Sequence, residues 1–141
     1  MKLLINYKAI ITVLAMFSCS ACSQQPLQET TKSIQPIEEV QGTIGSEPVT
    51  YLRYNTEIEP CITIKLNDLG ELKQLCSFTD QQGNITDVRT DVAGVDYLLP
   101  VFTEHGLTVT LDLFSYYLDC QITLSNKIIE DPVCQFRDME D

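Results

Sequence analysis

Between Leu107 and Leu124 the chain alternates apolar and polar residues with a period of two, and partway through the alternation changes phase. Leu107, Val109, Leu111 and Leu113 put the apolar set on odd numbers, with Thr108, Thr110 and Asp112 between them. From Phe114 the set moves to even numbers: Phe114, Tyr116, Leu118, Cys120, Ile122 and Leu124, opposite Ser115, Tyr117, Asp119, Gln121 and Thr123. Successive side chains of a strand point to opposite faces, so a period of two describes a strand with one face in a core. A change of phase turns every later side chain to the wrong face unless the backbone is reset. The segment therefore requires a bulge, a sharp bend or a change of strand between Leu113 and Phe114. Its 18 residues also exceed the ordinary length of one strand.

The same pattern recurs elsewhere. Cys61 to Leu66 alternates, Asn67-Asp68-Leu69-Gly70 is a turn, and Glu71 to Phe78 returns; Asp80 to Asn84 marks a second turn. Further strands are expected at Val49 to Asn55, Ile85 to Arg89, Val95 to Leu99 and Ile128 to Phe136. No helical period appears beyond the first 22 residues. The expectation is an all-β fold, a small disulfide-stapled sandwich or barrel of about seven or eight antiparallel strands. A chain of 141 residues supports one such core.

The first 22 residues have the layout of an export signal. Lys2 and Lys8 precede an uncharged apolar run, Ala9 to Phe17, and the small residues Ser18, Ser20 and Ala21 follow. Ala9 to Cys22 is 14 residues, against roughly 18 or more for a membrane span. The run ends in a cysteine, and in this it resembles the signal of bacterial lipoproteins, whose lipobox closes on a cysteine that is acylated and becomes the new N-terminus. Cys19-Ser20-Ala21 before Cys22 matches the second and third lipobox positions. Met16-Phe17-Ser18 before Cys19 matches the first and third loosely, with a ring where a small residue belongs. The resemblance implies a bilayer-anchored chain lipidated at Cys22, with Cys19 the alternative. Ser23, in place of the aspartate that retains lipoproteins at the inner membrane of enteric bacteria, implies the outer membrane, facing the periplasm.

Residues 23–48 contain no aromatic residue and are rich in Gln, Glu, Thr, Ser and Pro. Such a composition buries too little apolar surface to order itself. The expected organisation is a signal peptide over 1–21, a lipid-anchored flexible linker over 22–48 and a β-rich domain over 49–141. As a flexible stalk, the 26 residues from Ser23 to Pro48 would span roughly 25 to 30 Å on average and about 80 Å at full stretch. Ile34, Ile37, Val40 and Ile44 are spaced for a short docking element, against which Pro36 and Gly42 argue.

The expected domain keeps Cys61, Cys76, Cys120 and Cys134. In an oxidising compartment these read as two disulfides, with three possible pairings. Pairing Cys61 with Cys76 and Cys120 with Cys134 is preferred, because each pair brackets one expected hairpin. A two-residue turn at Asp68-Leu69 pairs positions whose numbers sum to 137, as 61 and 76 do; the second pair centres on Lys127 and suits a three-residue loop, Asn126 to Ile128. Parity favours Cys22 for the lipid, since processing before Cys19 would strand one thiol. Structural zinc asks for ligand pairs two to four residues apart, which these four cysteines do not form.

Nine basic residues stand against 20 acidic; without Lys2 and Lys8 the balance is 7 against 20, a net charge of −13. Such a surface repels nucleic-acid phosphates and attracts cationic partners. Catalytic motifs are absent: there is no Gly-x-Ser-x-Gly elbow, phosphate-binding glycine loop or paired-histidine metal motif, and the one histidine, His105, lies in the turn-like Thr103-Glu104-His105-Gly106. Asp112 and Asp119 are the carboxylates a hydrolase would use. Asp80, Asn84, Asp87, Asp91 and Asp96 share a loop-rich stretch, of which Asp87, Asp91 and Asp96 are candidate Ca²⁺ ligands, although the EF-hand order is missing. Tyr51, Tyr54, Tyr97, Tyr116 and Tyr117 are candidates for a stacking surface. The reading that follows is a non-catalytic envelope lipoprotein without cofactor, binding another protein in an assembly or adaptor role. An acidic inhibitor of a cationic secreted enzyme such as lysozyme, and a carboxylate-based or calcium-dependent hydrolase, are the alternatives.

Overall fold

The computed structural model describes residues 33–137, so the leader, Cys19, Cys22 and the first ten residues of the expected stalk lie outside the described residues. Every regular element in this span is a strand. The first sheet is built from β1 (Glu38–Ile44), β2 (Glu47–Arg53), β3 (Ile62–Leu66) and β4 (Glu71–Leu75), in that order. The second uses β5 (Ser77–Asp80), β6 (Ile85–Asp87), β7 (Asp96–Tyr97), β8 (Val101–Phe102), β9 (Leu107–Asp112) and β10 (Tyr117–Ile122). The chain continues through a small hairpin, β11 (Leu124–Ser125) with β12 (Ile128–Ile129), into β13 (Val133–Arg137). The second sheet runs β6-β5-β13-β10-β9-β7, with β8 also on β9. The all-β, disulfide-stapled class holds, and of thirteen strand segments eight are four residues or longer. One pairing departs from the antiparallel expectation: β13 lies parallel to β5, Val133↔Thr79 and Cys134↔Asp80.

β4 passes into β5 through Cys76, so the two sheets are continuous there and curl around one core. That core takes Val49, Tyr51, Ile62 and Ile64 from the first sheet and Leu107, Val109, Leu111, Leu118 and Ile122 from the second, all buried. The odd-numbered set of β9 and the even-numbered set of β10 thus face the same interior. The phase change between them is a hairpin: Tyr117↔Asp112 through Ile122↔Leu107 pair, and Leu113 N–H donates to Tyr116 O at 3.1 Å. Reversal of direction resets the faces, which is why the pattern flips.

Order begins earlier than composition suggests, and the linker boundary at Pro48 is corrected. β1 pairs with β2 along its full length, Glu38↔Arg53 to Ile44↔Glu47. An edge strand needs only one apolar face, and here Val40 and Ile44 pack on the core while Glu39, Gln41 and Thr43 are exposed. Gly42, a mark against structure on the chain alone, is what lets β1 pack: a Cβ there would lie 2.4 Å from Cγ of Phe102. The ring of β8 rests on its bare backbone.

Both expected disulfides form, Cys61–Cys76 and Cys120–Cys134. The register whose numbers sum to 137 is kept, Ile62↔Leu75 to Leu66↔Glu71, but the loop between is four residues, closed by Gly70 N–H donating to Leu66 O at 2.8 Å. Cys120 and Cys134 stand directly opposite each other across β10 and β13. The turn beneath them is not the three-residue loop expected. Asn126 and Lys127, both with positive φ, make a two-residue turn, and Ser125↔Ile128 pair across it. That hairpin is therefore one residue out of step with the disulfide pair. The extra residue is absorbed at Asp131-Pro132, after Glu130 N–H bonds Thr123 O and before Val133 pairs with Gln121. A proline, which has no N–H to place in a ladder, suits such a bulge.

Candidate binding cleft

A concavity of about 740 Å³ opens between two loops and the tip of the β9–β10 hairpin. One wall is the loop after β2. Asn55 O accepts the N–H groups of Ile58 (2.9 Å) and Glu59 (2.8 Å), and Asn55 Oδ1 accepts that of Glu57. This winding leaves the Ile58 side chain 64% exposed. The wall is pinned at its far end, where Pro60 O accepts the Tyr97 hydroxyl at 2.7 Å and Cys61 enters its disulfide. The opposite wall is the loop after β6: Val88 N–H bonds Cys76 O at 2.9 Å, Asp91 N–H bonds Asp87 O at 2.8 Å, and the Asp91 carboxylate returns to Asp87 N–H. Val92 and Val95 present apolar surface on this side.

Phe114 closes the cleft. It occupies the first central position of the β9–β10 turn with φ 66°, and it is 69% exposed. Positive φ at that position alone marks a turn of the II′ kind, where glycine is the ordinary occupant. For a bulky L residue the left-handed region costs about 1 to 2 kcal/mol. Asp112 supports the turn, its Oδ1 accepting Phe114 N–H at 2.9 Å, and a Cβ on Gly94 would lie 2.9 Å from Phe114 Cε2. The ring therefore lies against bare backbone at Gly94 and is held there while most of its surface faces solvent. Strain kept at an exposed aromatic is the kind of outlier that points to function.

The charges around the cleft are mostly spoken for. Arg89 donates to both Asp87 carboxylate oxygens, which holds Asp87 well below the usual carboxylate range. Glu59 Oε1 accepts Cys61 N–H, leaving Glu57 as the exposed acid of the rim. Among the described residues no histidine or thiol lines the cleft, since His105 sits exposed in the β8–β9 turn and the cysteines are oxidised. A cleft that sets Ile58, Val92, Val95 and Phe114 beside Glu57, Glu59 and Arg89 is equipped to bind.

The residues singled out on the chain scatter. Asp87 faces Arg89 and Ser77, Asp91 caps its own loop, and Asp96 Oδ1 accepts from Arg53 at 2.9 Å. Asp80 and Asn84 close the β5–β6 turn, Asp80 Oδ1 accepting the N–H groups of Gln82 and Asn84. Asp87, Asp91 and Asp96 do not converge; the one group of three potential metal ligands among the described residues is Glu59, Cys61 and Cys76, whose sulfurs are consumed by the disulfide. Asp112 supports the Phe114 turn, and Asp119 is bound by Arg137 (2.7 and 3.1 Å) and Thr110 (2.6 Å). The tyrosines form no common platform: Tyr51 and Tyr97 are core residues, Tyr116 packs on Phe136 and Tyr117 lies under Arg137. Phe114 and Ile58 were not foreseen as site residues. A signal was present, because the phase break falls where Leu113-Phe114-Ser115-Tyr116 offers no glycine, asparagine or aspartate to make the turn.

Comparison with protein-family models, with characterised proteins and with solved structures returns no match to this chain.

Proposed function

We propose that this chain is a non-catalytic, lipid-anchored protein of the bacterial cell envelope, held through Cys22 at the outer membrane and facing the periplasm, whose β-domain binds another protein through the Phe114 cleft. The observation that carries the binding role is Phe114 itself: a large aromatic side chain, exposed, with its ring against Gly94, kept in a backbone conformation that glycine would adopt without strain. Rigid exposed aromatics lose little conformational entropy on contact, which makes them effective anchors at interfaces. Ile58 across the cleft supplies a second apolar contact, and the net charge of −13 favours a basic partner.

A photo-crosslinking amino acid installed at Phe114 in the living cell tests the role. The expected result is a discrete protein adduct at position 114 that is missing when the same group stands at Lys65, an exposed β3 residue outside the cleft. A Phe114→Gly variant should fold with unchanged or slightly higher stability, about 1 kcal/mol at most, and should fail to compete for the adduct. Identical adducts at 114 and 65, or competition by Phe114→Gly equal to that of the parent, would sink the proposal.

A further inference from the structure

A second apolar surface lies where the two sheets meet edge to edge. Arg53 binds Glu38 of β1 at 2.8 Å and Asp96 of β7 at 2.9 Å, and the Phe102 ring of β8 rests on Gly42 of β1. The outer strand of each sheet thus borders the other along this corner. The segments that carry those contacts also carry exposed apolar residues: Ile37 (60%) just before β1, and Leu99 (71%) and Val101 (59%) between β7 and the Phe102 ring. Sheet edges in soluble domains are usually protected by lysine or other charge. Here Leu98-Leu99-Pro100-Val101-Phe102 carries none, and the bordering acids Glu38 and Asp96 share the one arginine, which leaves a single net negative charge at the corner.

What covers this corner follows from where the chain joins the fold. Ile37 immediately precedes β1, and its N–H docks on Arg53 O at 2.8 Å, so the chain enters the first sheet at this corner. Only ten residues, 23–32, separate Ser33 from Cys22, a contour of at most about 36 Å. We infer that the Ile37–Leu99–Val101 corner is a bilayer-facing surface, seated on the phospholipid that holds the Cys22 anchor; this rests on the anchor assigned under the proposed function. An acidic domain is repelled by anionic headgroups, so the occupant is a zwitterionic phospholipid surface, and added salt does not release it.

The chain contains no tryptophan, so a single introduced indole reports its surroundings without background. The acylated, processed chain carrying Leu99→Trp is reconstituted in phosphatidylcholine vesicles, beside a Leu72→Trp control on β4, the opposite edge of the first sheet. The expected result is blue-shifted emission at position 99, quenched by bromine-labelled lipid about twofold or more over position 72. Equal quenching at both positions, or a blue shift at 99 that is already present without vesicles, overturns the inference. Mass spectrometry of the same sample reads the acyl group. In parallel, the processed chain with Cys22→Ser is tethered by an N-terminal hexahistidine tag to nickel-chelating lipid. Quenching there without acylation in the first sample removes the anchor and keeps the surface; acylation without quenching in either sample removes the surface and keeps the anchor.

Discussion

Two tyrosines in one core should respond with opposite signs to loss of the same atom. Tyr51 is fully buried and its phenolic oxygen has no hydrogen-bond partner among the described residues, whereas Tyr97, also buried, donates its hydroxyl to Pro60 O at 2.7 Å. An unpaired buried polar group carries a desolvation penalty of about 1 to 3 kcal/mol, while a made hydrogen bond contributes about 0.5 to 1.5 kcal/mol net. Tyr51→Phe should therefore stabilise the domain by about 1 kcal/mol. Tyr97→Phe should destabilise it by about 1 to 2 kcal/mol, because Pro60 O is left unpaired as well. Urea titration at neutral pH measures both, with equal slopes showing that the same surface is exposed on unfolding. Alkaline pH supplies a second reading. Burial, with the Glu38 carboxylate adding to it, pushes the Tyr51 phenol far above its ordinary range, and burial does the same for Tyr97. A group whose pKa is raised by folding contributes stability that is intact below about pH 10 and is lost as pH rises toward the folded value. The loss is about 1.4 kcal/mol per pH unit for each such tyrosine. Each phenylalanine variant should remove one tyrosine's share of that slope. A Tyr51→Phe domain that is less stable than Tyr97→Phe, or that keeps the full alkaline slope, would refute the reasoning.

Other expectations are quickly stated. Replacing Cys120 and Cys134 together by alanine opens a loop of separation 14 and should lower stability by about 3 kcal/mol on chain-entropy grounds, read as a shifted urea midpoint. Gly42→Ala should destabilise by about 1 to 3 kcal/mol through its clash with the Phe102 ring, and the effect should shrink in a Phe102→Ala background. Arg137 and Thr110 hold the Asp119 carboxyl below its ordinary range, so Asp119 contributes stability above about pH 4 that fades as pH falls through the lower folded value. Asp119→Asn should accordingly show a shallower acid limb in thermal melts between pH 5 and about pH 2.

The class of fold was legible because period-two patterning and cysteine spacing are local properties. β9, β10 and both disulfides follow from residues close in the chain. β1 was missed because its order is borrowed: Val40 and Ile44 gain a core only when β2 lies alongside, and Gly42 reads as a breaker until Phe102 is placed over it. The parallel pairing of β13 with β5 joins residues more than 50 apart and has no local trace. At the site the residues that stand out in the chain are charged, and in the fold most of those carboxylates answer arginines or backbone N–H groups. The residues that frame the cleft are hydrophobic, and one hydrophobic residue on the page looks like another. Phe114 differs only in sitting where the turn falls, and this could be weighed only once the phase break was known to be a two-residue turn.

The place of β13 has a consequence for the order of assembly. It is the last strand among the described residues, yet it lies between β5 and β10, so the β5–β6 hairpin joins the rest of its sheet only through it. A chain that crosses a membrane N-terminus first can form β1 to β4 and oxidise Cys61 with Cys76 as soon as they appear. Cys120 must wait, as a thiol beside a half-made sheet, until Cys134 arrives. For a chain exported in that way, β13 brings both the missing strand and the partner of Cys120, so the interval before its arrival is the one most exposed to mispairing and proteolysis.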